Sequence, residues 1–292
     1  PEVVAWCGCR WCKMRRPAAL LNESSNTFVN GESLVILTHK NGASFYQFES
    51  LARFSEIRHG IFTRHFGCST GPFESLNVSF GLGDKPAQVR ENRQVIARAM
   101  GSNDLIFAQQ VHGDQVLILN PDNFAGDEGS QTVLGAGDAL VTDAPGKFVT
   151  IQLADCQSIL LYDSSRRVVA NIHSGWRSSI RNIAGRTVHI MQKHFECHPA
   201  DIMAGIGPSL GPCCAEFIHY RKEIPEIFWQ YKTANDHFDF WSISRDQLAD
   251  AGVSRENIEV SNVCTRCNTA VFFSYRGEEQ TGRFASVIGL NM

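Results

Sequence analysis

Short apolar runs separated by turn residues follow one another through most of the chain. Runs of about four to six apolar residues bounded by Gly, Pro, Asn, Asp or Ser are typical of β-strands. They predict strands at 34–37, 44–48, 105–109, 115–119, 139–142, 148–153, 158–162, 168–172 and 202–204. The sequence therefore predicts a sheet-rich core whose strands are densest between residues 139 and 172.

Segments with a helical period of apolar residues lie among these strands. One begins near Pro86, with Asp84 as a plausible N-cap, and stops at Gly101. A second amphipathic helix is predicted over residues 180–195, and shorter helices at 223–231 and 245–251. Strands and helices alternate throughout without an internal repeat, which favours one α/β domain with layers of helix around sheet.

The first thirty residues show neither a helical nor a strand periodicity of apolar residues. Cys7, Cys9 and Cys12 lie there among basic residues, and a polar stretch follows at residues 22–26. We expect residues 1–30 to form a poorly ordered tail, or to be a segment derived from processing or cloning, and residues 31–292 to form the domain. The alternative is a small zinc knuckle on the three cysteines, which lacks a fourth local ligand.

Composition and charge exclude several classes of protein. The chain has 292 residues, of which 43% are hydrophobic and 20% charged, the balance of a globular protein. Its net charge of −3 argues against sequence-independent binding of nucleic acid. The longest apolar run, Val3–Cys7, is far shorter than the roughly 20 residues of a membrane span. We expect a cytoplasmic protein with neither nucleic acid nor membrane as a partner.

Cysteine and histidine usage points to a metal or to catalysis. Ten cysteines are too sparse for a disulfide scaffold, and clustered Cys and His in a reducing compartment more often serve chemistry. His112, Cys156 and His173 each stand at a predicted strand end beside small residues. Together they would form a Cys/His2 set that suits zinc and leaves a fourth position for water or substrate. Only the fold can bring them together, and structural histidines with a core thiol are the alternative.

Two other metal-site patterns occur in the sequence. Cys264-x-x-Cys267 could pair with Cys213–Cys214 as a structural zinc site. The same CxxC, preceded by His194-x-Glu196, also imitates the zinc-deaminase signature, although the position before Cys264 is not the Pro of that signature.

A loop of small residues at 205–214 follows a predicted strand. Such backbone can present N–H groups to an anion, although the loop matches neither the P-loop nor the dinucleotide fingerprint. The alternative is a tight turn containing two prolines.

A series of motifs in order along the chain carries a family resemblance. They are FTRHFGCS (62–69), SLNVSFGLGD (75–84), QQVHGDQV (109–116), GDALVT (137–142), ADC (154–156), HSGWR (173–177), GIGPSLGPCC (205–214), CTRCN (264–268), FFSYR (272–276) and TGRFASVIGL (281–290). With these motifs the chain resembles the YfiH-like family, formerly described as multicopper polyphenol oxidases or laccases, which includes the FAMIN purine nucleoside enzymes. The resemblance covers about residues 33–292 and leaves out the N-terminal tail.

The resemblance implies a fold, a metal and an activity. The implied fold is a single α/β/α sandwich with a mixed sheet, and the implied cofactor is one zinc ion held by His112, Cys156 and His173. The implied activities are phosphorolysis of adenosine, inosine, guanosine and methylthioadenosine, and deamination of adenosine. Purine nucleosides and phosphate would then be the partners. The older copper label conflicts with these residues, because one Cys/His2 set provides too few ligands for the several coppers of a laccase.

Other residues within the motifs are candidates for binding the substrates. Arg64, Arg177 and Arg283 could hold phosphate, since arginines bind it in a bidentate manner, or they could form structural salt bridges. Asn77 could contact a ribose hydroxyl or cap a turn. Asp155 is a candidate for orienting a metal ligand from behind.

Three serines depart from the family pattern next to the candidate site. Ser174 and Ser178 replace the Ala and the final Gly of HAGWRG, and Ser158 replaces a common Pro. None of these changes removes a candidate ligand, but they bear on substrate preference.

Other functions compete with the phosphorylase hypothesis. A zinc amidase acting on a peptidoglycan precursor would use the same centre. A hydrolase with Cys156 as nucleophile and His173 as base would need no metal. A non-catalytic metal-binding protein is the third alternative.

Overall fold

A computed structural model describes residues 26–30, 33–102, 104–120 and 132–292. Strands account for most of the regular structure in these ranges. They are β1 (Asn26–Asn30), β2 (Ser33–Lys40), β3 (Ala43–Phe48), β4 (Ile57–Phe62), β5 (Asp104–Gln109), β6 (Val116–Leu119), β7 (Thr132–Ala136), β8 (Ala139–Thr142), β9 (Lys147–Leu153), β10 (Gln157–Asp163), β11 (Val168–Ser174), β12 (Ile202–Ile206), β13 (Ile258–Val260) and β14 (Phe284–Leu290). The α-helices are α1 (Glu49–Ala52), α2 (Pro86–Met100), α3 (Trp176–Ile180), α4 (Ile183–Phe195), α5 (Tyr220–Glu223) and α6 (Phe240–Asp250).

The strands form two mixed sheets. The larger has eight strands in the order β1-β2-β3-β4-β14-β9-β5-β7, and the smaller has six in the order β13-β12-β10-β11-β8-β6. Most neighbours are antiparallel, while β5 runs parallel to β7 and β9, β12 to β13, and β6 to β8. The chain crosses from the larger sheet to the smaller in the short turn between β9 and β10.

The two sheets pack face to face and share a core. Apolar side chains of both sheets meet there, among them Ile61 and Ile151 from the larger sheet and Leu160 and Val169 from the smaller. Asn171 of β11 is fully buried and donates to backbone carbonyls of β9 and β14, at 3.1 and 2.9 Å. Burial of this apolar surface supplies most of the free energy that stabilises the fold. The hydrogen bonds of the Asn171 amide fix the position of one sheet relative to the other.

Helices cover the outer faces. The apolar side of α2 buries Ile96, Ala99 and Met100 against the larger sheet, and α4 and α6 pack on the smaller sheet. The result is a layered α/β sandwich, as the sequence predicts, in which the mixed strands divide into two stacked sheets rather than one. No helix within the described ranges is both long enough and apolar enough to cross a membrane.

The predicted helix at 86–100 is confirmed with its terminal signals. Pro86 opens α2, and Gly101 ends it in the left-handed conformation, with φ +67°. The Gly101 N–H donates to carbonyls of the last turn, which satisfies acceptors that a helix end leaves open. Lys85 rather than Asp84 occupies the N-cap position, and the Asp84 carboxylate accepts a hydrogen bond from the Lys85 N–H at 2.7 Å.

Other elements differ from the sequence predictions. The helix expected at 223–231 is a short α-helix followed by a 3-10 helix, because Pro225 interrupts it. Strand β7, at Thr132–Ala136, has no counterpart among the predicted strands. Of the predicted tail, residues 1–25 lie outside the described residues, and the last five form β1, which pairs with β2. The zinc knuckle suggested for Cys7, Cys9 and Cys12 likewise lies outside the described residues.

Candidate metal centre

The topology brings three loop segments to one edge of the stacked sheets. Because β5 and β9 are parallel neighbours, the segments after them, which carry His112 and Cys156, leave the larger sheet at the same edge. In the smaller sheet, β10 begins where β11 ends, and Ser158 lies opposite His173 in the register. Residues far apart in sequence therefore meet where the chain passes between the sheets.

The side chains of His112, Cys156 and His173 converge in this corner. One ligand atom from each lies within 4.8 Å of the others. Sγ of Cys156 is 3.9 Å from Nε2 of His112, and the two imidazole rings meet edge to face with centroids 4.8 Å apart. Two imidazole nitrogens and a thiolate are ligands that zinc accepts readily, so the donor set fits a single ion with an open position.

Asp138 holds both histidine segments. Its carboxylate is fully buried, and Oδ1 lies 2.7 Å from Nδ1 of His173. The backbone N–H groups of Val111, His112 and Gly113 donate to the same carboxylate at 3.2, 2.9 and 2.7 Å. One buried side chain thus orients the His173 ring, leaving Nε2 for a ligand, and fixes the loop that carries His112.

The loop conformation at His112 depends on these bonds. His112 has a φ of +56°, in the left-handed region that side chains other than glycine rarely adopt. Such a conformation costs about 1 kcal/mol or more and persists where the surroundings fix it. The three N–H groups that donate hydrogen bonds to Asp138 provide that constraint.

Gly175 leaves room for the ligands. A Cβ atom built at this position would lie 3.0 Å from Sγ of Cys156 and 3.1 Å from Cδ2 of His112. Both distances are closer than ordinary contact, so a side chain here would displace one of the two groups. The glycine of the HSGWR motif therefore has a steric role at the centre.

The charges of the three side chains are coupled. Burial opposes ionisation of the Cys156 thiol, but the adjacent His173 and His112 outweigh it and lower the pKa of Cys156 to about 6. Burial disfavours the charged form of His173 as well, while the thiolate of Cys156 and the carboxylate of Asp138 raise its pKa to about 9. The centre therefore favours an anionic sulfur, the form that binds metal and the form that acts as a nucleophile.

One side of the centre is open to solvent. His173 is buried and Cys156 half-buried, whereas His112 and the neighbouring Val111 are exposed. A substrate can therefore approach past His112.

The carboxylate of Asp155 is hydrogen-bonded to the 264–276 loop. It accepts hydrogen bonds from the hydroxyls of Thr265 and Ser274, at 2.6 and 2.7 Å, and from the Arg276 N–H at 2.6 Å. Asp155 thus anchors the 264–276 loop beside Cys156, and the carboxylate that contacts a candidate ligand is Asp138. Asp138 is not among the site residues predicted from the sequence, although the GDALVT motif contains it.

Two predicted substrate residues are engaged inside the protein. The Arg64 guanidinium donates to Glu278 at 2.8 Å and to two carbonyl oxygens, and it stacks on Phe273. Asn77 is fully buried, and its amide bonds the backbone of Ser79 and the carboxylate of Asp84. The Asn77 side chain thus bonds within the protein, in the manner of the alternative in which it caps a turn.

The two remaining arginines have different surroundings. Arg177 is exposed and lies over the ring of Trp176, at 4.3 Å from the ring centroid. Arg283 is half-buried. Its backbone N–H donates to Oδ1 of Asn77 at 2.9 Å, and its guanidinium donates to the carbonyls of Thr281 and Gly282 at 3.2 and 2.8 Å. Burial lowers the pKa of Arg283, and the charges of Cys156 and Asp155 oppose that shift. Arg283 thus lies within electrostatic reach of the candidate centre.

The three serines that depart from the family pattern are all buried. The Ser174 hydroxyl pairs with that of Ser179 at 2.9 Å, and the Ser158 hydroxyl donates to Asn171 at 3.2 Å. The buried Ser178 hydroxyl has no hydrogen-bond partner among the described residues. These serines therefore act on packing around the site.

Three other sequence patterns suggest metal or anion sites. The fold brings the residues of one of them together as potential ligands, and it does not do so for the other two. Four cysteines, Cys213, Cys214, Cys264 and Cys267, form a second group of potential metal ligands. His194 and Glu196 lie at the end of α4 and belong to neither group found in the described residues. In the loop at 205–214, successive N–H groups donate to protein acceptors, among them Asp155 O and Val263 O, so the tight turn describes it better than an anion site.

Comparisons with known proteins agree with the sequence motifs. Residues 58–291 match the family described as multi-copper polyphenol oxidoreductase laccase. A purine nucleoside phosphorylase of Bacteroides thetaiotaomicron is 32% identical over 241 residues, covering 78% of this chain and 89% of that protein. The purine nucleoside phosphorylase YfiH of Escherichia coli is 31% identical over 239 residues, covering 78% and 91%.

The fold is shared with solved structures of the same group. The crystal structure of YlmD from Geobacillus stearothermophilus superposes with a TM-score of 0.77 at 30% identity, covering 87% of this chain and 98% of that one. The crystal structure of a Bacillus licheniformis protein titled hypothetical protein YfiH gives a TM-score of 0.76 at 29% identity, covering 91% and 99%. The resemblance inferred from the motifs is confirmed, and the chain belongs to the laccase-like polyphenol oxidoreductase family that includes YfiH and YlmD.

Proposed function

We propose that this protein is a zinc-dependent purine nucleoside phosphorylase that also deaminates adenosine. The observation that carries the proposal is the convergence of His112, Cys156 and His173 around one point, with Asp138 orienting His173. Family members at about a third identity are named purine nucleoside phosphorylases, which supports the substrate class. Zinc, when bound by these three residues, supplies a Lewis acid that polarises a water or substrate oxygen.

The residues of the chain account for the remaining requirements. In phosphorolysis, a phosphate oxygen bonds to C1′ of the ribose while the bond from C1′ to the purine nitrogen breaks, and the electron pair leaves with the base. Arg283 is the better candidate for holding that phosphate, because it is half-buried near Cys156. Arg177, exposed at the start of α3, is the second candidate. In deamination, water attacks C6 of the purine and ammonia leaves.

A copper polyphenol oxidase is disfavoured by the ligand inventory. A laccase requires several copper ions, while the two potential metal groups in the described residues contain two histidines at one centre and cysteines alone at the other. A His2Cys set is also the donor set of blue-copper centres, so elemental analysis of the purified protein is the direct check. We expect zinc at this centre and little copper.

A metal-free cysteine hydrolase is the second candidate. The observation in its favour is the pairing of a lowered pKa at Cys156 with a raised pKa at His173, as in nucleophile–base pairs. This candidate would share Cys156 with the first but would not depend on zinc.

The test of the proposed function is a nucleoside panel. Purified protein is incubated with adenosine, inosine, guanosine and methylthioadenosine, with and without phosphate, and the products are separated by chromatography. Release of free base with ribose 1-phosphate only when phosphate is present is the expected result, with inosine formed from adenosine. Cleavage of a cell-wall amide with no turnover of nucleosides would instead support the amidase.

Gly175→Ala is expected to weaken metal binding without unfolding the protein. The added methyl group would press on Cys156 and His112, and overpacking of this kind costs about 1–3 kcal/mol. Expressed as affinity for zinc, that is about a fivefold to 150-fold loss, measurable by competition with a chromophoric chelator. Ser174→Ala, which restores the residue usual in the family at the adjacent position, is the matched control and should keep zinc. Equal zinc affinity in Gly175→Ala and the wild type would contradict this account of the centre.

A further inference from the structure

The four cysteines outside the candidate centre are brought together by a second pair of loops. Cys213 and Cys214 follow β12, while Cys264 and Cys267 follow β13. Because β12 and β13 are parallel, the loops after them leave the sheet at the same edge. Residues more than 50 positions apart in sequence thus become neighbours.

The sulfur atoms are arranged around a common point. Sγ of Cys267 lies 3.6 Å from Sγ of Cys213 and 3.5 Å from Sγ of Cys214, and all four sulfurs lie within 4.8 Å of one another. Four sulfurs at about 2.3 Å from a tetrahedral zinc ion are about 3.8 Å apart. A disulfide would need about 2.05 Å. The spacing is therefore that of ligands around one ion.

The backbone holds the two loops in register. Ser209 N–H donates to Val263 O at 3.1 Å, and Thr265 N–H donates to Ser209 O at 3.0 Å. The N–H of Gly211 donates to Sγ of Cys264 at 3.3 Å, an interaction that stabilises a thiolate. A Cβ at Gly211 would lie 2.8 Å from the Trp241 ring, so glycine permits this close approach. Backbone hydrogen bonds and packing of both loops thus hold the four cysteines in place.

We propose that Cys213, Cys214, Cys264 and Cys267 bind one structural zinc ion. Four protein thiolates leave no open position, and Cys214 and Cys264 are buried, which is typical of a structural rather than a catalytic site. A compact all-sulfur set of this size favours a single zinc ion over ions that prefer oxygen ligands. The proposal is independent of the proposed activity, and it raises the expected content from one zinc per chain to two.

This zinc would stabilise the wall of the candidate centre. The loops that it joins also surround Asp155, since Leu210 N–H donates to Asp155 O at 2.8 Å and Thr265 Oγ1 to its carboxylate at 2.6 Å. Asp155 directly precedes Cys156 in the chain. Loss of the ion would therefore loosen the support of Cys156 without removing any of its own metal-binding partners.

Zinc counting on single-site variants of the full-length chain tests the proposal. We expect two equivalents in the wild type, one in Cys267→Ser and one in Cys156→Ala, with none in the double variant. Cys267 is half-buried, so serine there disturbs packing less than at Cys214 or Cys264. Cys68→Ser, at an exposed cysteine that belongs to neither group, is the control and should retain two. Cys7, Cys9 and Cys12 are unchanged throughout, so any metal they hold adds equally to every sample.

Alkylation of the thiols provides a second measurement that does not depend on a folded variant. In the wild-type protein these four cysteines should resist alkylation until a strong chelator removes zinc. Removal of zinc should also lower the melting temperature of the protein. A disulfide among them in freshly purified protein would overturn the proposal. The proposal would also be overturned if the wild type held one zinc equivalent that Cys267→Ser keeps and Cys156→Ala loses. The four thiols would then only pack in the core.

Discussion

Cys156→Ala is expected to remove zinc from the His112–Cys156–His173 centre and to abolish phosphorolysis and deamination together. The reason is that Sγ is the anionic member of the set, with a pKa lowered to about 6 by the two histidines. Two neutral imidazoles alone bind zinc much more weakly than they do with a thiolate. Both activities would depend on the same ion, so both should fall to background. Zinc content, melting temperature and product formation are measured on the same preparation.

The outcomes of this variant separate three roles of Cys156. If Cys156 is a covalent nucleophile, the variant would lose activity with no change in zinc content, and if it is a core thiol, zinc content and activity would both stay unchanged. Cys197→Ala is the matched control, because Cys197 is a buried thiol that belongs to neither ligand group and interacts with Asp163, at the opposite end of β10. It should cost about 1 kcal/mol of stability and leave metal and turnover intact. Retention of both zinc and activity in Cys156→Ala would refute the proposed function.

The elements that the sequence predicts well are those whose signals are local. Helix α2 has an apolar face, a proline in its first turn and Gly101 at its end, and all of these act within a few residues. Strands β4 and β14 are missed, although both are central in the larger sheet. β14 is buried along its length, but Ser286 and Gly289 interrupt its apolar run, and β4 contains Arg58 and His59. Their partners across the sheet, which no local pattern shows, make these positions compatible with a strand.

The same distinction holds for the candidate centre. The three candidate ligand residues can be found from motifs, because Cys and His beside small residues at strand ends are conspicuous in the sequence. Asp138 is not conspicuous, since it lies 26 residues from His112 and 35 from His173 and acts only through the fold. Asp155, adjacent to Cys156, is the natural choice from sequence, yet its carboxylate faces the 264–276 loop. Adjacency along the chain therefore does not single out the carboxylate that contacts His173.

Asp138→Asn is expected to lower zinc affinity by about tenfold to hundredfold, the effect usual for a residue that orients a metal ligand. The carboxylate uses both oxygens: Oδ1 serves His112 N–H and His173 Nδ1, and Oδ2 serves Val111 N–H and Gly113 N–H. An amide offers only one acceptor oxygen. Its NH2 group must therefore face N–H donors, either at His173 or at the 111–113 loop.

Either orientation of the new amide disturbs a ligand, which is why the isosteric change is a sharp test. With NH2 toward His173, the ring loses the acceptor that fixes its tautomer. With NH2 toward Gly113, the left-handed conformation at His112 loses two of the three hydrogen bonds that constrain it. Asp163→Asn is the matched control, because Asp163 is also fully buried and accepts two backbone N–H groups, at the far end of β10. Both variants should lose stability, and only Asp138→Asn should lose zinc in a chelator competition. Equal zinc affinity in the two variants would show that Asp138 supports the fold and not the metal ligands.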